Sequence, residues 1–507
     1  MLLFLLFLGS ITAFHLWFIN SGRFDLAPDE AHYWTWSKRL DWSYYSKGPI
    51  VAYLIALSTR IGGDTEFFIR LPAVLLSTGT ALLTFLLTVR LCRSRWAGLE
   101  AALLLAAMPL AQAGSILMTI DAPLVFFWSL TLLLIHRALT SDGNGWWLPA
   151  GISLGLGLLS KYTMAVIIPQ TFLYVTLSRQ HRFWLRQPGP YLALGAGLLI
   201  FTPVIYWNAT HSLVSLRHLF QQLGGGHDTV MPLKRLGEFA ASQVGVVTPV
   251  LFLVLMCGLW EVGRTGLIRR ADDTALFLFC ASAPLLIACL ITSLWTKVQG
   301  NWAAPAYIGA VVAVARWRLG SRDRNISIRR WTRSRTLFAC ALITGFLVSA
   351  IGHFPHALAS VGLPLPATLD LTKRLRGWAE LGARVSAVYQ EMSHSRPTFL
   401  FSDRYQIASE IMFYVPAHPN TYNIQLGQRR MNQFDVWGGT EEVRGWDAIF
   451  VTDRPDPPDA VVRSFDRVQP EQATHSLKAG RSSGLHSWSL FRCYGFRGFP
   501  PAESLRY

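Results

Sequence analysis

Residues 2–18 read LLFLLFLGSITAFHLWF, a run of seventeen residues without a charged side chain. A helical run of this length is long enough to cross the hydrocarbon core of a bilayer. No basic segment precedes it and no small-residue cleavage site follows it, so it predicts a retained membrane helix rather than a signal peptide. Similar runs recur over the first 350 residues. Together they predict a polytopic α-helical membrane protein.

Eleven apolar segments are predicted to be membrane helices. They cover residues 2–18, 71–91, 96–117, 124–139, 147–159, 162–177, 191–207, 244–262, 275–294, 303–317 and 337–354. Lys161 lies between the fifth and sixth segments. It is left open whether residues 147–177 form two helices or one long tilted helix.

The composition agrees with a chain that lies mainly in lipid. Of the 507 residues, 51% are apolar and only 15% are charged, whereas about a quarter of a soluble domain is charged. This excludes disorder, collagen and a disulfide-stapled secreted module. The net charge of +16 would suggest nucleic acid in a soluble protein. Here, eighteen arginines fall in loops that are cytoplasmic if the N-terminus is inside, so the positive-inside rule explains the charge and no nucleic-acid partner is expected.

An odd number of spans places everything after residue 354 on the outer side. We predict a transmembrane catalytic domain over residues 1–354, with outer loops 20–70 and 208–242, and a soluble periplasmic α/β domain over residues 355–507. The elements predicted in the second domain are helices at 371–392 and 405–414 and strands at 398–401, 448–451 and 488–493. Cys493 is the only cysteine of this domain, so no disulfide is available there.

The first outer loop mixes aromatic with charged residues. Such a composition is typical of short helices at the membrane interface, and we expect two of them, at residues 29–40 and 49–60.

Carboxylates are scarce near the spans, so their positions are informative. Asp29 and Glu30 follow the first span, and Asp121 is the only charge between two apolar helices. The first pair is also typical of the first turn of a helix, and Asp121 of an N-cap. All three nevertheless map to the outer face, where carboxylates can deprotonate a nucleophile or bind a divalent cation.

Three lysines from separate loops map to the same face: Lys47, Lys161 and Lys297. Each alone is typical of a lysine that snorkels at a helix end. As a set they suggest that an anion is held at the membrane surface, and a lipid-linked phosphate is a natural candidate.

Several motifs at these residues resemble one family. Asp29-Glu30 after the first span, Tyr45-Ser46-Lys47-Gly48-Pro49 at the end of an aromatic stretch, and Asp121-Ala122-Pro123-Leu124 between the third and fourth spans form the pattern. It looks like the polyprenyl-phosphate-sugar-dependent glycosyltransferases of the GT-C fold. Within them, the chain is similar to the family 39 enzymes, which include protein O-mannosyltransferases and the aminoarabinose and galacturonic acid transferases of lipid A.

The resemblance implies an inverting glycosyltransferase of the bacterial inner membrane. Its donor would be a polyprenyl-phosphate-linked sugar, and its acceptor lipid A or its core, another lipid, or a protein. Asp29 would be the catalytic base with Glu30 beside it and Asp121 as a second acidic residue, and Lys47 would contact the donor phosphate. The set of lysines on the same face adds Lys161 and Lys297 as further candidates for binding that phosphate. The alternative from the residues alone is a polytopic transporter or lipid flippase.

The same resemblance leaves metal dependence open. A divalent cation, Mg²⁺ or Mn²⁺, would be held by Asp29 and Asp121. Aminoarabinose transferases show Glu-Lys-Pro-Pro where this chain has Ser46-Lys47-Gly48-Pro49. If that Glu helps to hold a metal, Ser46 does not replace it.

Overall fold

The computed structural model describes residues 1–225, 231–323, 328–360, 362, 370–426, 430–471 and 487–500. Arg324, one of the eighteen arginines predicted to be cytoplasmic, lies outside the described residues. The chain forms two compact units. Unit 1 comprises Met1–Asn20, Lys47–Val51 and Arg70–Ala357, and unit 2 comprises Ser21–Ser46, Ala52–Ile69 and Leu358–Tyr507.

Helices dominate the described part of the chain. In chain order they are α1 (Leu2–Asn20), α2 (Pro28–Ser37), α3 (Ile50–Gly62), α4 (Glu66–Cys92), α5 (Arg95–Ala107), α6 (Pro109–Ile116), α7 (Asp121–Leu139), α8 (Trp147–Ser160), α9 (Ile167–Leu177), α10 (Gly189–Thr210), α11 (Val214–Phe220), α12 (Pro232–Val247), α13 (Pro249–Val262), α14 (Asp273–Thr292), α15 (Ala306–Asp323), α16 (Ile328–His353), α17 (Pro355–Ser360), α18 (Trp378–Ser395), α19 (Tyr405–Tyr414), α20 (Gln433–Trp437) and α21 (Asp459–Arg463).

Short 3-10 and π-helical turns join some of these helices. The 3-10 turns are Tyr162–Val166, Arg182–Arg186, Gly300–Ala303, Leu371–Leu375 and Thr440–Val443, and the π turns are Gln221–Gly225 and Gly263–Ile268.

Seven helical stretches among the described residues are long and apolar enough to cross a membrane. They are Leu2–Asn20, Glu66–Cys92, Asp121–Leu139, Gly189–Thr210, Pro249–Ile268, Asp273–Thr292 and Arg335–His353. Helices α5 and α6, which meet at 76°, make an eighth if the bent pair is one span. Each of the eleven predicted segments overlaps a helix, although Met108 and Thr248 interrupt the helices in two of them, and seven or eight of the eleven are long and apolar enough to span. The predicted class of polytopic membrane protein is confirmed.

Lys161 separates two helices rather than interrupting one. Its backbone is extended, with φ −156° and ψ 135°, so α8 ends at Ser160 and the 3-10 turn Tyr162–Val166 starts a new direction. The alternative of one long helix over residues 147–177 is therefore wrong.

Helix α15 lies at the centre of unit 1. Its residues Ile308 and Ala310–Ala315 have no exposed surface. Small residues bring its neighbours close: Gly258 of α13 lies against Val314, and a Cβ at Gly309 would collide with the side chain of Ser282 in α14. Close packing of small residues is the main way in which membrane helices hold together, because lipid offers no hydrophobic driving force between them.

One buried ion pair joins α15 to α5 within unit 1. Arg318 donates from Nε and Nη2 to the Glu100 carboxylate, each at 3.2 Å, and both side chains are less than a tenth exposed. A charge in apolar surroundings requires a partner of opposite sign, because desolvation of a single ion is so costly.

We therefore expect Glu100→Gln to destabilise the protein. The substitution leaves the Arg318 charge uncompensated, so the free energy of unfolding should fall by about 3 kcal/mol. Thermal unfolding of the detergent-solubilised protein measures this. The double variant Glu100→Leu/Arg318→Met should recover most of the loss, and an unchanged melting temperature for Glu100→Gln would contradict the assigned importance of the pair.

Unit 2 contains a mixed five-stranded sheet. Its strands are β1 (Thr398–Ser402), β2 (Thr421–Asn423), β3 (Asp447–Thr452), β4 (Phe465–Pro470) and β5 (Ser489–Phe496). The strand order is β2-β1-β3-β5-β4; β1 is parallel to β2 and β3, and β5 is antiparallel to β3 and β4. The predicted small α/β domain is confirmed. Strands β2 and β4 were not predicted, because the first has three residues and the second is mostly exposed.

Both faces of this sheet are covered. Phe399 and Phe401 of β1 point to one apolar cluster, whereas Leu400 points to another that includes residues of α18 and α19. This alternation explains why β1 and β3 are buried along their whole length.

The helix α2 belongs to unit 2. Every residue from Glu30 to Ser37 is buried, and α2 packs on α19. The compact units therefore differ from the predicted domains, which meet between residues 354 and 355. Residues 21–46 and 52–69 belong to the same unit as the C-terminal segment. Aromatic residues suit a membrane interface and a protein core equally well, so composition alone does not distinguish the two positions.

Candidate active site

Asp121 is the centre of a polar cluster in unit 1. Its Oδ1 accepts a hydrogen bond from Lys161 Nζ at 2.7 Å, and its Oδ2 accepts one from Asn301 Nδ2 at 2.6 Å. The Asp121 side chain is 16% exposed and that of Lys161 is 8% exposed. The structure thus brings two of the predicted site residues into direct contact and adds a third that was not predicted.

Local structure places each of the three side chains at a helix end. Asp121 is the first residue of α7, where the helix dipole favours a negative charge. Lys161 occupies the extended break after α8, and Asn301 lies in the 3-10 turn before α15. Asp121 is not the N-cap: that position is Ile120, and no side chain caps the helix there.

The pairing determines what this carboxylate can do. Both Asp121 oxygens accept hydrogen bonds, one of them from a cation, so the charge is already balanced. A divalent cation prefers several carboxylate or carbonyl oxygens. Among the described residues, no group of three or more His, Cys, Asp or Glu side chains is placed to hold a metal. The Asp121 cluster does not fit a metal site.

Lys47 is held near the same break by a glycine. Gly48 is buried against the backbone of Leu159, and a Cβ at this position would overlap the Leu159 carbonyl oxygen. Leu159 lies two residues before Lys161, so the Lys47 segment and the Lys161 turn are neighbours within unit 1. Lys297 is exposed and precedes Asn301 by four residues.

An apolar cavity of about 260 Å³ reaches this cluster. Its wall includes residues of α1, α4, α6, α7 and α15, among them Asp121 and Asn301. Polar side chains in the wall include His15 and Gln112, which bond to each other at 2.8 Å. A mostly apolar space with a charged group in its wall suits a lipid that carries a polar head.

The Asp29 and Glu30 side chains differ in environment although they are adjacent. Glu30 is fully buried, and its Oε2 accepts a hydrogen bond from the Ala27 backbone N–H at 2.9 Å. This contact is that of a residue which caps the start of α2. Asp29 is exposed and accepts a hydrogen bond from Tyr405 Oη at 3.5 Å. Of the two, Asp29 is therefore the better placed to meet a substrate.

Comparisons with known proteins match this chain to one class of enzyme. Residues 46–207, which include Lys47, Asp121 and Lys161, match the family described as dolichyl-phosphate-mannose-protein mannosyltransferase. The chain is 29% identical over 388 residues, 75% of its length and 76% of the relative's, to the lipid A galacturonosyltransferase RgtD of Rhizobium johnstonii. It is 29% identical over 187 residues, a third of each chain, to an undecaprenyl phosphate-aminoarabinose arabinosyl transferase of Pseudomonas aeruginosa.

A solved structure shows the same fold. The crystal structure of ArnT from Cupriavidus metallidurans bound to undecaprenyl phosphate superposes with a TM-score of 0.62, at 16% identity, over 96% of this chain and 97% of that one. This chain is a membrane glycosyltransferase of the GT-C fold. The predicted fold and enzyme class are confirmed, and the comparisons favour them over the transporter alternative.

The roles of individual residues in this glycosyltransferase stay predictions. The structure adds Asn301, which composition did not single out because an Asn carries no charge. A usable signal existed: the segment Gln299-Gly300-Asn301 is a polar interruption between two apolar helices.

We expect Gly48→Ala to lower the transfer rate of the glycosyltransferase, although the substitution adds only one methyl group. The new Cβ would push the Lys47 segment away from Leu159, and a displacement of this kind should lower the transfer rate by about 10-fold or more. Gly195→Ala is the matched control, because a Cβ at Gly195 in α10 meets open space. Equal transfer rates for both variants would show that the close contact at Gly48 does not matter.

Proposed function

We propose that this enzyme transfers a sugar from a polyprenyl-phosphate donor to the saccharide part of lipid A or its core. The observation that carries the proposal is the Asp121–Lys161–Asn301 cluster, of which Asp121 and Asn301 lie in the wall of an apolar cavity. The names of the relatives support both substrates, since one acts on lipid A and the others use undecaprenyl-phosphate-linked aminoarabinose.

The cavity suits the end of the donor lipid nearest its phosphate. An isoprenoid chain gains free energy when it leaves water for an apolar wall, while its phosphate requires positive charge. A space of about 260 Å³ holds only part of a long polyprenyl chain. The remainder of the chain would stay in the bilayer.

Lysines would bind the phosphate without leaving Asp121 unpaired. Lys161 Nζ carries three donors, and one of them is used by Asp121. The other donors are free to reach a phosphate oxygen once the donor lipid is bound. Lys47, from the neighbouring segment, would supply a second cation, and Lys297 a more peripheral one. Positive charge at this point would stabilise the phosphate as it leaves.

The reaction would be a single displacement. Asp29 takes the proton of the acceptor hydroxyl, and the hydroxyl oxygen forms a bond to the anomeric carbon. The bond between that carbon and the phosphate oxygen breaks, and its electron pair leaves with polyprenyl phosphate. Because one displacement exchanges one face of the carbon for the other, the configuration inverts. Glu30 would act only by capping α2.

The site would face the periplasm of a bacterial inner membrane. The distribution of arginines supports this orientation, since in the predicted topology the segments that carry Asp29, Asp121 and Lys161 map to the side opposite the arginine-rich loops. An outer-leaflet donor and a lipid A acceptor are both available on that side.

Asp29→Asn should abolish transfer while the protein still folds. An amide does not accept the proton, so the product should fall by about 10²-fold or more. The measurement is mass spectrometry of lipid A from cells that lack the chromosomal copy and carry wild type or variant. Wild type should add the mass of one uronic acid, pentose or hexose.

Asp456→Asn, at another exposed carboxylate of unit 2, is the matched control and should behave as wild type. Wild-type levels of product from Asp29→Asn would remove Asp29 from the role of base. A mass change confined to glycoproteins would overturn the proposed acceptor.

We also expect transfer without a divalent cation, because the Asp121 cluster is closed by Lys161 and Asn301. Purified enzyme should keep its full rate in excess EDTA, with unchanged melting temperature. Loss of activity in EDTA that Mg²⁺ or Mn²⁺ restores would show that a metal site exists and that our interpretation of Asp121 is wrong.

A further inference from the structure

Helices α2 and α19 of unit 2 pack along a seam of polar and aromatic side chains. On α2 the seam contains His32 and Trp36, four residues apart, and on α19 it contains Tyr405 and Ser409, also four apart. Residues at this spacing lie on one face of a helix. The His32 ring lies 4.7 Å from the Tyr405 ring, and its Nδ1 lies 3.0 Å from Ser409 Oγ.

His32 is a fixed and neutral member of this seam. Burial lowers the pKa of His32 to about 3, so the imidazole carries no charge at neutral pH. The indole N–H of Trp36 donates to His32 Nε2 at 3.2 Å. Because an indole only donates, Nε2 is the acceptor and the proton lies on Nδ1, which donates to Ser409. The imidazole is thus held from both sides, and it presents one face to Tyr405.

Tyr405 in turn contacts Asp29. Asp29 precedes His32 by three residues and therefore lies on the same face of α2. The Tyr405 hydroxyl donates to Asp29 Oδ1 at 3.5 Å. Burial raises the pKa of Tyr405 above its usual range, and the Asp29 charge acts in the same direction, so the phenol stays protonated and remains a donor.

We propose that Tyr405 is a positioning residue that orients the Asp29 carboxylate and keeps it ionised for the transfer reaction. The inference rests on the proposed role of Asp29 as base and deepens it. It also gives the C-terminal segment a function in catalysis: the sheet holds α19, α19 holds Tyr405, and Tyr405 holds Asp29. The long distance of 3.5 Å suits a contact that yields when Asp29 receives a proton from the acceptor.

Other titratable groups lie on the elements around α2. They are Glu30 and His32 on α2, Glu410 and Tyr414 on α19, Arg404 just before α19, and Asp435 on α20. Glu30 bonds to the Ala27 backbone, Tyr414 to Glu66, Arg404 to Asp453, and Asp435 to the Asn432 backbone. Glu410 is buried near Tyr414.

The test is the pH dependence of transfer by purified Tyr405→Phe, with a polyprenyl-phosphate sugar and lipid A. A hydrogen bond to a carboxylate favours its charged form, so its loss lets Asp29 hold a proton to higher pH. The acid limb, which is the part of the pH-rate profile where the rate falls as Asp29 takes up a proton, should move to higher pH by about half a unit. At pH values on this limb the rate of Tyr405→Phe should be about 3-fold below that of wild type. At high pH, where Asp29 is ionised in both proteins, only the loss of orientation remains, so the rate of Tyr405→Phe should lie closer to that of wild type than it does at low pH.

Ser409→Ala is the matched control on the same helix. It removes the bond to His32 but leaves the Tyr405 hydroxyl, so it should lower the melting temperature without moving the acid limb. A Tyr405→Phe profile that coincides with wild type, or one that falls equally at all pH values, would overturn the proposal. Absence of transfer by wild type would instead refute the proposed function.

A second measurement does not depend on turnover. With 3-fluorotyrosine at position 405 of the full chain, the ¹⁹F shift should follow the protonation of Asp29 in acid, and this titration should be missing in Asp29→Asn. If the shift titrates identically in both proteins, Tyr405 does not sense Asp29 and the proposal fails, even where Tyr405→Phe does not fold.

Discussion

A carboxylate in an apolar wall must be matched by positive charge, and Asp121 meets this constraint through Lys161 and Asn301. Much of the local architecture of unit 1 follows from that requirement. Helix α8 ends where Lys161 must turn towards Asp121, and a 3-10 turn places Asn301 before α15. The glycine at position 48 lets a third segment approach the same break. A neutralised carboxylate can then border the apolar cavity that we propose for the donor lipid.

Unit 2 meets a different constraint. Helix α2 is too polar to cross a membrane and is buried almost all round, so it depends on partners from distant parts of the chain. Most of the partners described come from residues after position 400: Tyr405 for Asp29, Ser409 for His32, and Phe413 for Trp34. The C-terminal sheet, covered on both faces, provides the rigid support for these contacts. The α/β fold of unit 2 thus has a direct use, which is to hold the proposed base.

The transmembrane plan could be predicted because hydropathy is local: a span is recognised from about twenty consecutive residues. Asp121 and Lys161 could be nominated because charges are rare near spans. Asn301 was missed because it carries no charge, although the polar segment Gln299-Gly300-Asn301 separates two apolar helices. Strands β2 and β4 were missed for a similar reason. Their own composition does not identify them as strands; they are strands because they pair with β1 and β5. Glu30 was grouped with Asp29 by adjacency, although its side chain points to the backbone of Ala27.

By itself, the sequence determined that this chain is a polytopic membrane protein. It also predicted that the basic residues lie mainly on one side of the membrane, and which few carboxylates and lysines lie near the other. Those properties depend on composition and on short-range spacing. The tertiary structure alone decided that Lys161 pairs with Asp121, that Gly48 packs on Leu159, and that Tyr405 meets Asp29. The residues of each pair are separated by 40, 111 and 376 positions. Contacts over such distances arise from helix and sheet packing, which no local pattern encodes.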